Sequence, residues 1–216
     1  MLSRAGKVRI KTPIDTLVSS GVLIRGTDTL NVQAPKDLFG NNHPIEVEIG
    51  CGKGGLLIQR ALSQPDINLL GIEWLPSYAA FCADRAYRHG LTNIRVINAD
   101  AKQIFTNLPA SPIFRRVYIL FPDPWPKRKH WKRRLINQDF VEKLISTMEV
   151  GGIIYIATDH LHYYQQICRN FSINHHIALV TGKHQFLHEE LIRHSNYARK
   201  WLSEGKQIYT FEAMKI

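Results

Sequence analysis

The feature of this 216-residue chain that most constrains its fold is an alternation, beginning at Pro44, of apolar β-branched runs with segments of helical period. The apolar runs predict five strands, at residues 45–49, 69–72, 94–97, 117–121 and 153–157. The helical patterns predict four helices, at residues 56–62, 76–88, 137–148 and 160–171. Strands that alternate with helices indicate an α/β fold, with a doubly wound and mostly parallel sheet and helices on both faces.

The two ends of the chain differ from this pattern. Apolar runs at residues 177–180 and 207–213 predict two further strands, which makes the sheet seven-stranded. Residues 1–43 have no strong period and carry turn formers, so we predict an N-terminal arm or lid with little regular structure. Residues 44–216 are predicted to form a single domain. Since doubly wound sheets bind ligands beyond the carboxyl ends of their strands, we expect the functional residues in the loops that follow each strand.

The charge balance indicates the class of partner. The chain carries 28 Lys and Arg against 18 Asp and Glu, a formal net charge of +10, which suits a polyanion such as nucleic acid or an anionic membrane surface. Its three cysteines, Cys51, Cys82 and Cys168, form no C-x-x-C motif and indicate reduced thiols. No apolar run approaches the ~18 residues of a membrane span. We therefore expect a soluble, cytoplasmic protein.

A glycine-rich turn follows the first predicted strand, with Glu48 two residues before Gly50 and with Gly52 two residues after it. Glycines let the backbone approach a nucleotide-like ligand at the start of the next helix. Together with Gly55 they also satisfy the G-x-G-x-x-G pattern of NAD enzymes, so the turn alone leaves both interpretations open. Glu48 favours the E-x-G-x-G-x-G pattern of methyltransferases, in which a carboxylate lies near the cationic methionine end of S-adenosylmethionine.

Acidic residues also follow the next two predicted strands. Glu73 can accept hydrogen bonds from both hydroxyls of a ribose, a role shared with NAD sites. Asp100 is placed to accept from an adenine amino group, or it could cap the next helix. Three acids at three successive strand ends favour an adenosyl ligand over unrelated caps and turns. The predicted cofactor site comprises Glu48, Gly50, Gly52, Glu73, Trp74, Asp100, Ala101 and, from the next loop, Asp123.

The loop after the fourth predicted strand, Phe121-Pro122-Asp123-Pro124-Trp125-Pro126, is the most specific signal in the chain. Prolines on both sides of Asp123 restrict its backbone, so its carboxylate is held rigidly at the mouth of the sheet. Residues 127–134 follow directly and include six Lys or Arg and one Trp. A basic run beside a candidate active centre predicts a phosphate-binding segment with a residue able to stack on a base.

These motifs together resemble the bacterial tRNA (guanine-N7)-methyltransferase family. The resemblance rests on residues 39–54, 71–74 and 121–130, and the F-P-D-P-W-P-K segment is highly specific to that family. It implies a Rossmann-like methyltransferase fold whose sheet closes with an antiparallel hairpin. It also implies methylation of guanine N7 in tRNA, at guanine 46 of the variable loop, with S-adenosylmethionine as the methyl donor.

The resemblance assigns roles to individual residues. It puts Asp123 at the catalytic position and Lys127 and Asp159 on the RNA. Near the C-terminus the family carries T-K-Y-E or T-K-F-E, where this chain has Ser195-Asn196-Tyr197-Ala198. Ser195 keeps the hydroxyl and Tyr197 the aromatic ring, so both are assigned to substrate binding. Ala198 lacks the carboxylate of the family pattern. Either Glu189 or Glu190 takes the place of that carboxylate, or guanine recognition is weaker in this chain.

Other functions remain open at this stage. A catalytically weakened RNA-binding paralogue, or a methyltransferase with another RNA substrate, would keep the same fold. The basic segment argues against a small-molecule methyltransferase, and an NAD enzyme explains neither Glu48 nor Asp123. Asp159 could also cap the helix that begins near His160. The histidine pairs at 160/162 and 175/176 point to different faces and lack a third ligand, so no metal is expected. Homo-oligomerisation stays open.

Overall fold

The computed structural model describes residues 8–26, 35–180 and 196–216, which form one eight-stranded sheet with helices against it. The strands are β1 Leu23–Arg25, β2 Ile45–Ile49, β3 Asn68–Glu73, β4 Ile94–Asn98, β5 Phe114–Leu120, β6 Met148–Thr158, β7 Ile177–Leu179 and β8 Tyr209–Lys215. The α-helices are α1 Ile14–Ser19, α2 Gly55–Ser63, α3 Pro76–Arg88, α4 Ala101–Asn107, α5 Gln138–Ser146, α6 Leu161–Ser172 and α7 Asn196–Ser203. Short 3-10 helices span Pro35–Leu38 and Arg128–Arg133.

The strand order is β1-β4-β3-β2-β5-β6-β8-β7. Strands β1 to β6 pair in parallel, whereas β8 is antiparallel to both β6 and β7. The predicted α/β class and the closing antiparallel hairpin are therefore confirmed. Chain order reverses between β2 and β5, because β3 and β4 extend the sheet on one side and β6 on the other. A crevice at the carboxyl ends of β2 and β5 is where such sheets bind ligands.

The eighth strand lies in the segment that the sequence assigns to an irregular arm. Leu23 pairs with Val96 of β4, and Leu17 of α1 is fully buried against the helices on that face. Farther back, the Thr12 backbone N–H and hydroxyl both donate to Asp84 of α3, at 2.9 and 2.7 Å. The expectation of little regular structure was thus wrong for residues 14–25, since a six-residue helix and a three-residue strand are too short to show a period. Whether residues 1–43 act as a lid stays a prediction.

Helices cover both faces of the sheet. One apolar cluster packs Val47 and Val117 against α4, α5 and α6, and a second packs Leu69 and Val96 against α1, α2 and α3. Since alternate residues of a strand face opposite sides, Glu46 and Glu48 lie on the face of β2 opposite Val47. Glu46 is buried and ion-paired with Arg60 at 2.6 Å. Glu48, on the same face, has no such ion pair among the described residues.

Candidate active site

The parallel strands bring the predicted acids to one edge of the sheet. Each of five strands contributes one carboxylate at or just beyond its carboxyl end. In strand order from β4 to β6 these are Asp100, Glu73, Glu48, Asp123 and Asp159. The acids that the sequence places at strand ends therefore lie along one edge of the sheet.

The glycine turn after β2 lies close to the end of β3. Gly50, Gly52 and Gly54 have φ angles of 77°, 53° and 70°, a left-handed conformation that other residues adopt only at a cost. The Gly50 backbone N–H donates to the Ile72 carbonyl at 2.7 Å, and the Gly52 N–H donates to Glu73 Oε2 at 2.8 Å. Space beside Gly50 is open, because a Cβ placed there would meet no atom within 4 Å. A ligand can therefore approach the backbone of this turn.

Glu73 is held in place from three directions. Its Oε1 accepts the Leu75 backbone N–H at 2.8 Å, and its backbone carbonyl accepts from the Asn98 side-chain amide at 2.9 Å. Burial raises the pKa of the Glu73 carboxyl, the backbone hydrogen bonds oppose that rise, and the charge of Asp123 adds to it. The charge of Asp123, in the loop after β5, thus acts on the end of β3 across the crevice.

Glu48 is a buried acid, and one of its two carboxylate oxygens lacks a hydrogen-bond partner among the described residues. Its side chain is 5% exposed, and its Oε2 has no hydrogen-bond partner among the residues that the structure describes. Burial raises its pKa to about 8, against a hydrogen bond from the Leu57 backbone that lowers it and a further rise caused by Glu73. A buried carboxylate without a partner is costly unless a cation or donor satisfies it. The cationic methionine end of S-adenosylmethionine fits that requirement.

Trp74 and Asp100 follow β3 and β4, and they provide an exposed aromatic ring and a helix cap at this end of the crevice. Trp74 is 66% exposed directly after Glu73, so its indole face is available to a flat ring such as adenine. Asp100 caps α4, since its Oδ1 accepts the Lys102 backbone N–H at 2.8 Å. Ala101 is buried as the first residue of that helix. The capping alternative for Asp100 is therefore observed, and its contact with adenine stays a prediction.

The loop after β5 holds Asp123 between two residues in unusual conformations. Phe121 and Trp125 have positive φ angles of 53° and 42°, although neither is glycine. Such conformations persist only where the surroundings enforce them, and they concentrate at functional sites. The Phe121 backbone N–H donates to the Ala157 carbonyl of β6 at 2.8 Å, which fixes the start of the loop. Asp123 itself is exposed, so its carboxylate is open to a substrate.

The basic segment after this loop divides into an exposed part and a buried residue. Lys127, Arg128 and Lys129 are exposed, as are the two cations at 132 and 133. Arg133 lies over the Trp125 ring, 5.0 Å from its centroid. Arg134, in contrast, is fully buried and donates to the Pro124 carbonyl at 2.8 Å. The prediction that this whole run binds phosphate was therefore wrong for Arg134, which sequence reasoning could not separate from its basic neighbours.

Asp159 follows β6 directly and is partly exposed. The cap of α6 is His160, whose Nδ1 accepts the Tyr163 backbone N–H at 3.3 Å, so the suggestion that Asp159 caps this helix was wrong. Ser195, with Glu189 and Glu190, lies outside the described residues, and Tyr197 lies in α7 without a described side chain.

Ala198 stands where the resemblance predicts the acid of the T-K-Y-E pattern. It is fully buried in an apolar cluster with Leu56, Tyr118 and Tyr155. A small apolar residue therefore fills this position in the fold.

Among the described residues, no three His, Cys, Asp or Glu side chains come together in a way that could hold a metal ion. Within the same ranges, every helix is too short or too polar to cross a membrane.

Comparison with protein families and curated proteins identifies relatives. A family model described as "Putative methyltransferase" matches residues 42–211. A tRNA (guanine-N(7)-)-methyltransferase from Geobacillus thermodenitrificans is 33% identical over 181 residues, which cover 83% of each chain. One of the same name from Geobacillus sp. strain WCH70 is 34% identical over 180 residues, 82% of this chain and 80% of that relative.

Solved structures with the same architecture have low sequence identity. The 16S rRNA methyltransferase KamB superposes with a TM-score of 0.62 at 12% identity and covers 84% of this chain and 92% of its own. A 30S ribosomal methyltransferase from an uncultured bacterium gives a TM-score of 0.58 at 16% identity, with 83% and 91% covered. At these identities the likeness establishes the fold alone.

Proposed function

Because this chain belongs to the tRNA (guanine-N7)-methyltransferase family, we propose that it transfers a methyl group from S-adenosylmethionine to guanine N7 of tRNA, at guanine 46 of the variable loop. Such a substrate would place the enzyme in the cytoplasm. The observation that carries the proposal is the position of Asp123. It lies at the same sheet edge as the unsatisfied Glu48 and is followed at once by an exposed basic segment.

The residues proposed to bind the cofactor lie at the carboxyl ends of β2, β3 and β4. When bound, S-adenosylmethionine supplies an electrophilic methyl group on a sulfonium. Glu48 would face its cationic methionine end, and Glu73 would accept from the ribose hydroxyls with lone pairs that its two backbone donors leave free. Trp74 and Asp100 would contact the adenine, and Gly50, Gly52 and Ala101 would contribute backbone. These residues fit the ligand by charge and by space.

Guanine N7 has a lone pair and no proton, so this reaction needs no general base. Formation of the N7–carbon bond breaks the carbon–sulfur bond, whose electron pair stays on sulfur, and positive charge develops on the guanine ring. Alignment of the reacting atoms and stabilisation of that charge are what the protein can supply. We assign both to Asp123 and Asp159, whose carboxylates would accept hydrogen bonds from guanine N–H groups. Lys127, Ser195 and Tyr197 would hold the RNA.

A second candidate is a catalytically weakened RNA-binding paralogue of the same fold. The observation that favours it is Ala198, which is buried among apolar side chains in place of a carboxylate. Such a protein would bind S-adenosylmethionine and tRNA but transfer methyl groups slowly or not at all.

The deciding experiment is transfer of labelled methyl from S-adenosylmethionine to bulk tRNA, followed by mapping of the modified base. We expect N7-methylguanine in the variable loop. Asp123→Ala should lower kcat at least about 100-fold, since it removes a charge-stabilising contact, while tRNA affinity changes little. Asp139→Ala, which removes an exposed aspartate from the first turn of α5, is the matched control and should leave kcat unchanged. Labelling of another base would overturn the substrate, and tRNA binding without transfer would favour the second candidate.

A further inference from the structure

The proposed function needs Asp123 and Asp159 in fixed relative positions, yet they belong to different segments. Asp123 lies in the loop after β5, and Asp159 lies between β6 and α6. One side chain, that of Arg134, contacts both the Asp123 loop and α6.

Arg134 forms hydrogen bonds in two directions. Its Nε donates to the carbonyl of Pro124, the residue after Asp123, at 2.8 Å. On the other side its Nη1 donates to Gln166 Oε1 at 2.5 Å and lies 3.2 Å from His162 Nδ1. Gln166 and His162 both belong to α6. The guanidinium therefore spans the gap between the loop and the helix.

Aromatic rings complete the environment of this guanidinium. Its central carbon lies 4.7 Å from the centroid of the Tyr163 ring and 4.9 Å from that of Trp131. His162 in turn packs on Trp131 with ring centroids 4.3 Å apart. These contacts fix the guanidinium plane, which a flexible ammonium in its place would not reproduce.

The burial of Arg134 is costly for the fold. Its side chain is 0% exposed, and within the described ranges it has no carboxylate partner, while its Nη2 lacks an acceptor. Arg60, which is also buried, is instead paired in bidentate fashion with Glu46 at 2.6 and 2.9 Å. A buried cation without an acid adds little to stability, so stability alone does not explain Arg134 at this place.

We propose that Arg134 is a positioning residue that holds the Asp123 loop against α6 and thereby sets Asp123 relative to Asp159. This inference rests on the proposed methyl transfer to tRNA. It adds one contact, at the Pro124 carbonyl, to the loop that contains the left-handed Phe121 and Trp125, whose conformations need a surrounding structure that enforces them. Because Arg134 is fully buried, it acts through the loop and not by direct contact with a ligand.

The test compares Arg134→Lys with Arg95→Lys. Arg95 is the matched control because its Nε also donates to a backbone carbonyl, that of Leu38 at 3.0 Å, and its guanidinium also lies over a ring, that of Phe39 at 5.1 Å. We expect Arg134→Lys to lower kcat about 10- to 100-fold, since a misplacement of about 1 Å can cost that much. KM for tRNA and the Kd of S-adenosylmethionine should stay within about 2-fold. Expressing kcat per folded site, counted by S-adenosylmethionine binding, separates this effect from a general loss of stability, which lowers only the number of sites. Arg95→Lys should leave kcat unchanged.

A double-mutant cycle identifies the path of the effect. If Arg134 acts through Gln166, Gln166→Leu should lower kcat in wild type but add little in Arg134→Lys. Unchanged kcat in Arg134→Lys, or equal losses in kcat and in affinity, would overturn the inference.

Hydrogen exchange separates this inference from the proposed function. Faster exchange of the Phe121 backbone amide, which donates to the Ala157 carbonyl, is expected in Arg134→Lys but not in Arg95→Lys, whether or not tRNA is the substrate. A wild-type protein that does not methylate tRNA would refute the proposed function alone. Unchanged exchange in Arg134→Lys would refute the anchoring by Arg134.

Discussion

The Glu73 carboxylate accepts the Gly52 backbone N–H on Oε2 and the Leu75 backbone N–H on Oε1, both at 2.8 Å. One side chain therefore joins the end of β3 to the glycine turn after β2. Any ligand that also bonds to Glu73 meets a carboxylate whose orientation is already set, so its binding loses little side-chain entropy.

Replacement of this acid should disrupt the glycine turn and the cofactor site together. In Glu73→Gln one acceptor oxygen becomes an NH₂ group that faces a backbone N–H, and loss of such a charge-assisted bond costs about 1.5–3 kcal/mol. We expect the Kd of S-adenosylmethionine, measured by calorimetry, to rise about 10- to 100-fold. Glu142→Gln changes an exposed acid on α5 and should leave the Kd unchanged. A wild-type Kd in Glu73→Gln would remove Glu73 from the site.

Two glycines in the same left-handed conformation should respond differently to alanine. Gly54 has φ 70° and Gly90 φ 66°, but a Cβ on Gly54 would lie 2.3 Å from Cys82 Sγ, whereas one on Gly90 meets nothing within 4 Å. Gly90→Ala should cost only the conformational penalty, about 1 kcal/mol, and Gly54→Ala distinctly more. Urea unfolding measures both, and adding Cys82→Ala should recover part of the loss at Gly54. Equal losses at the two glycines would contradict the clash.

The features that the sequence predicts well are those that repeat along the chain. Strand β2 has the predicted bounds because Ile45, Val47 and Ile49 alternate with two glutamates up to a glycine turn. Strand β1 has three residues, and its existence depends on its pairing with β4, which no local pattern reveals. The seven-residue helix α4 is similarly short, and only its cap at Asp100 gave a signal. Short elements are decided by tertiary contacts, which a single sequence does not display.

The candidate site shows the same division. Topology alone brings strand-end acids together, so Glu48, Glu73 and Asp123 could be grouped from the sequence. The burial of Arg134 could not be predicted from the sequence. Arg134 is a basic residue like the exposed cations before it, and its partners on α6 are about 30 positions away in the chain. The left-handed Phe121 and Trp125 carry no sequence signal either, since their residue types do not favour that conformation.

The exposed cations after Asp123 should determine the salt dependence of RNA binding. A triple alanine variant of Lys127, Arg128 and Lys129 should weaken tRNA binding and reduce the slope of log K against log salt by about 2, if each cation neutralises one phosphate. Titrations at several salt concentrations measure the slope. The control is a double alanine variant of Lys143 and Arg169, which lie in the last turns of α5 and α6. An unchanged slope in the triple variant would exclude phosphate contacts by this segment.

The raised pKa of Glu48 predicts how stability depends on pH. Its pKa of about 8 lies above the ordinary 4.5, so the folded state holds a proton that the unfolded state loses first. The resulting contribution to the free energy of unfolding is complete below pH 4.5 and is lost as pH rises towards 8, by at most about 1.4 kcal/mol per pH unit. Glu48→Gln should remove this dependence. Urea unfolding at pH 5 and pH 8 without cofactor tests it, and a variant whose stability falls with pH as steeply as wild type would contradict the assignment.

Cofactor binding should release the proton that Glu48 holds. At pH 7 the free carboxyl, with a pKa of about 8, is mostly protonated, whereas an adjacent cation favours the ionised form. Binding of S-adenosylmethionine should therefore expel close to one proton per site, and the heat of binding should differ between buffers in proportion to their ionisation enthalpies. Glu48→Gln should show the same heat in every buffer at reduced affinity. S-adenosylhomocysteine, which lacks the sulfonium charge, should release less. Equal heats in phosphate and Tris for the wild-type protein would mean that Glu48 is already ionised or that it does not face the cation.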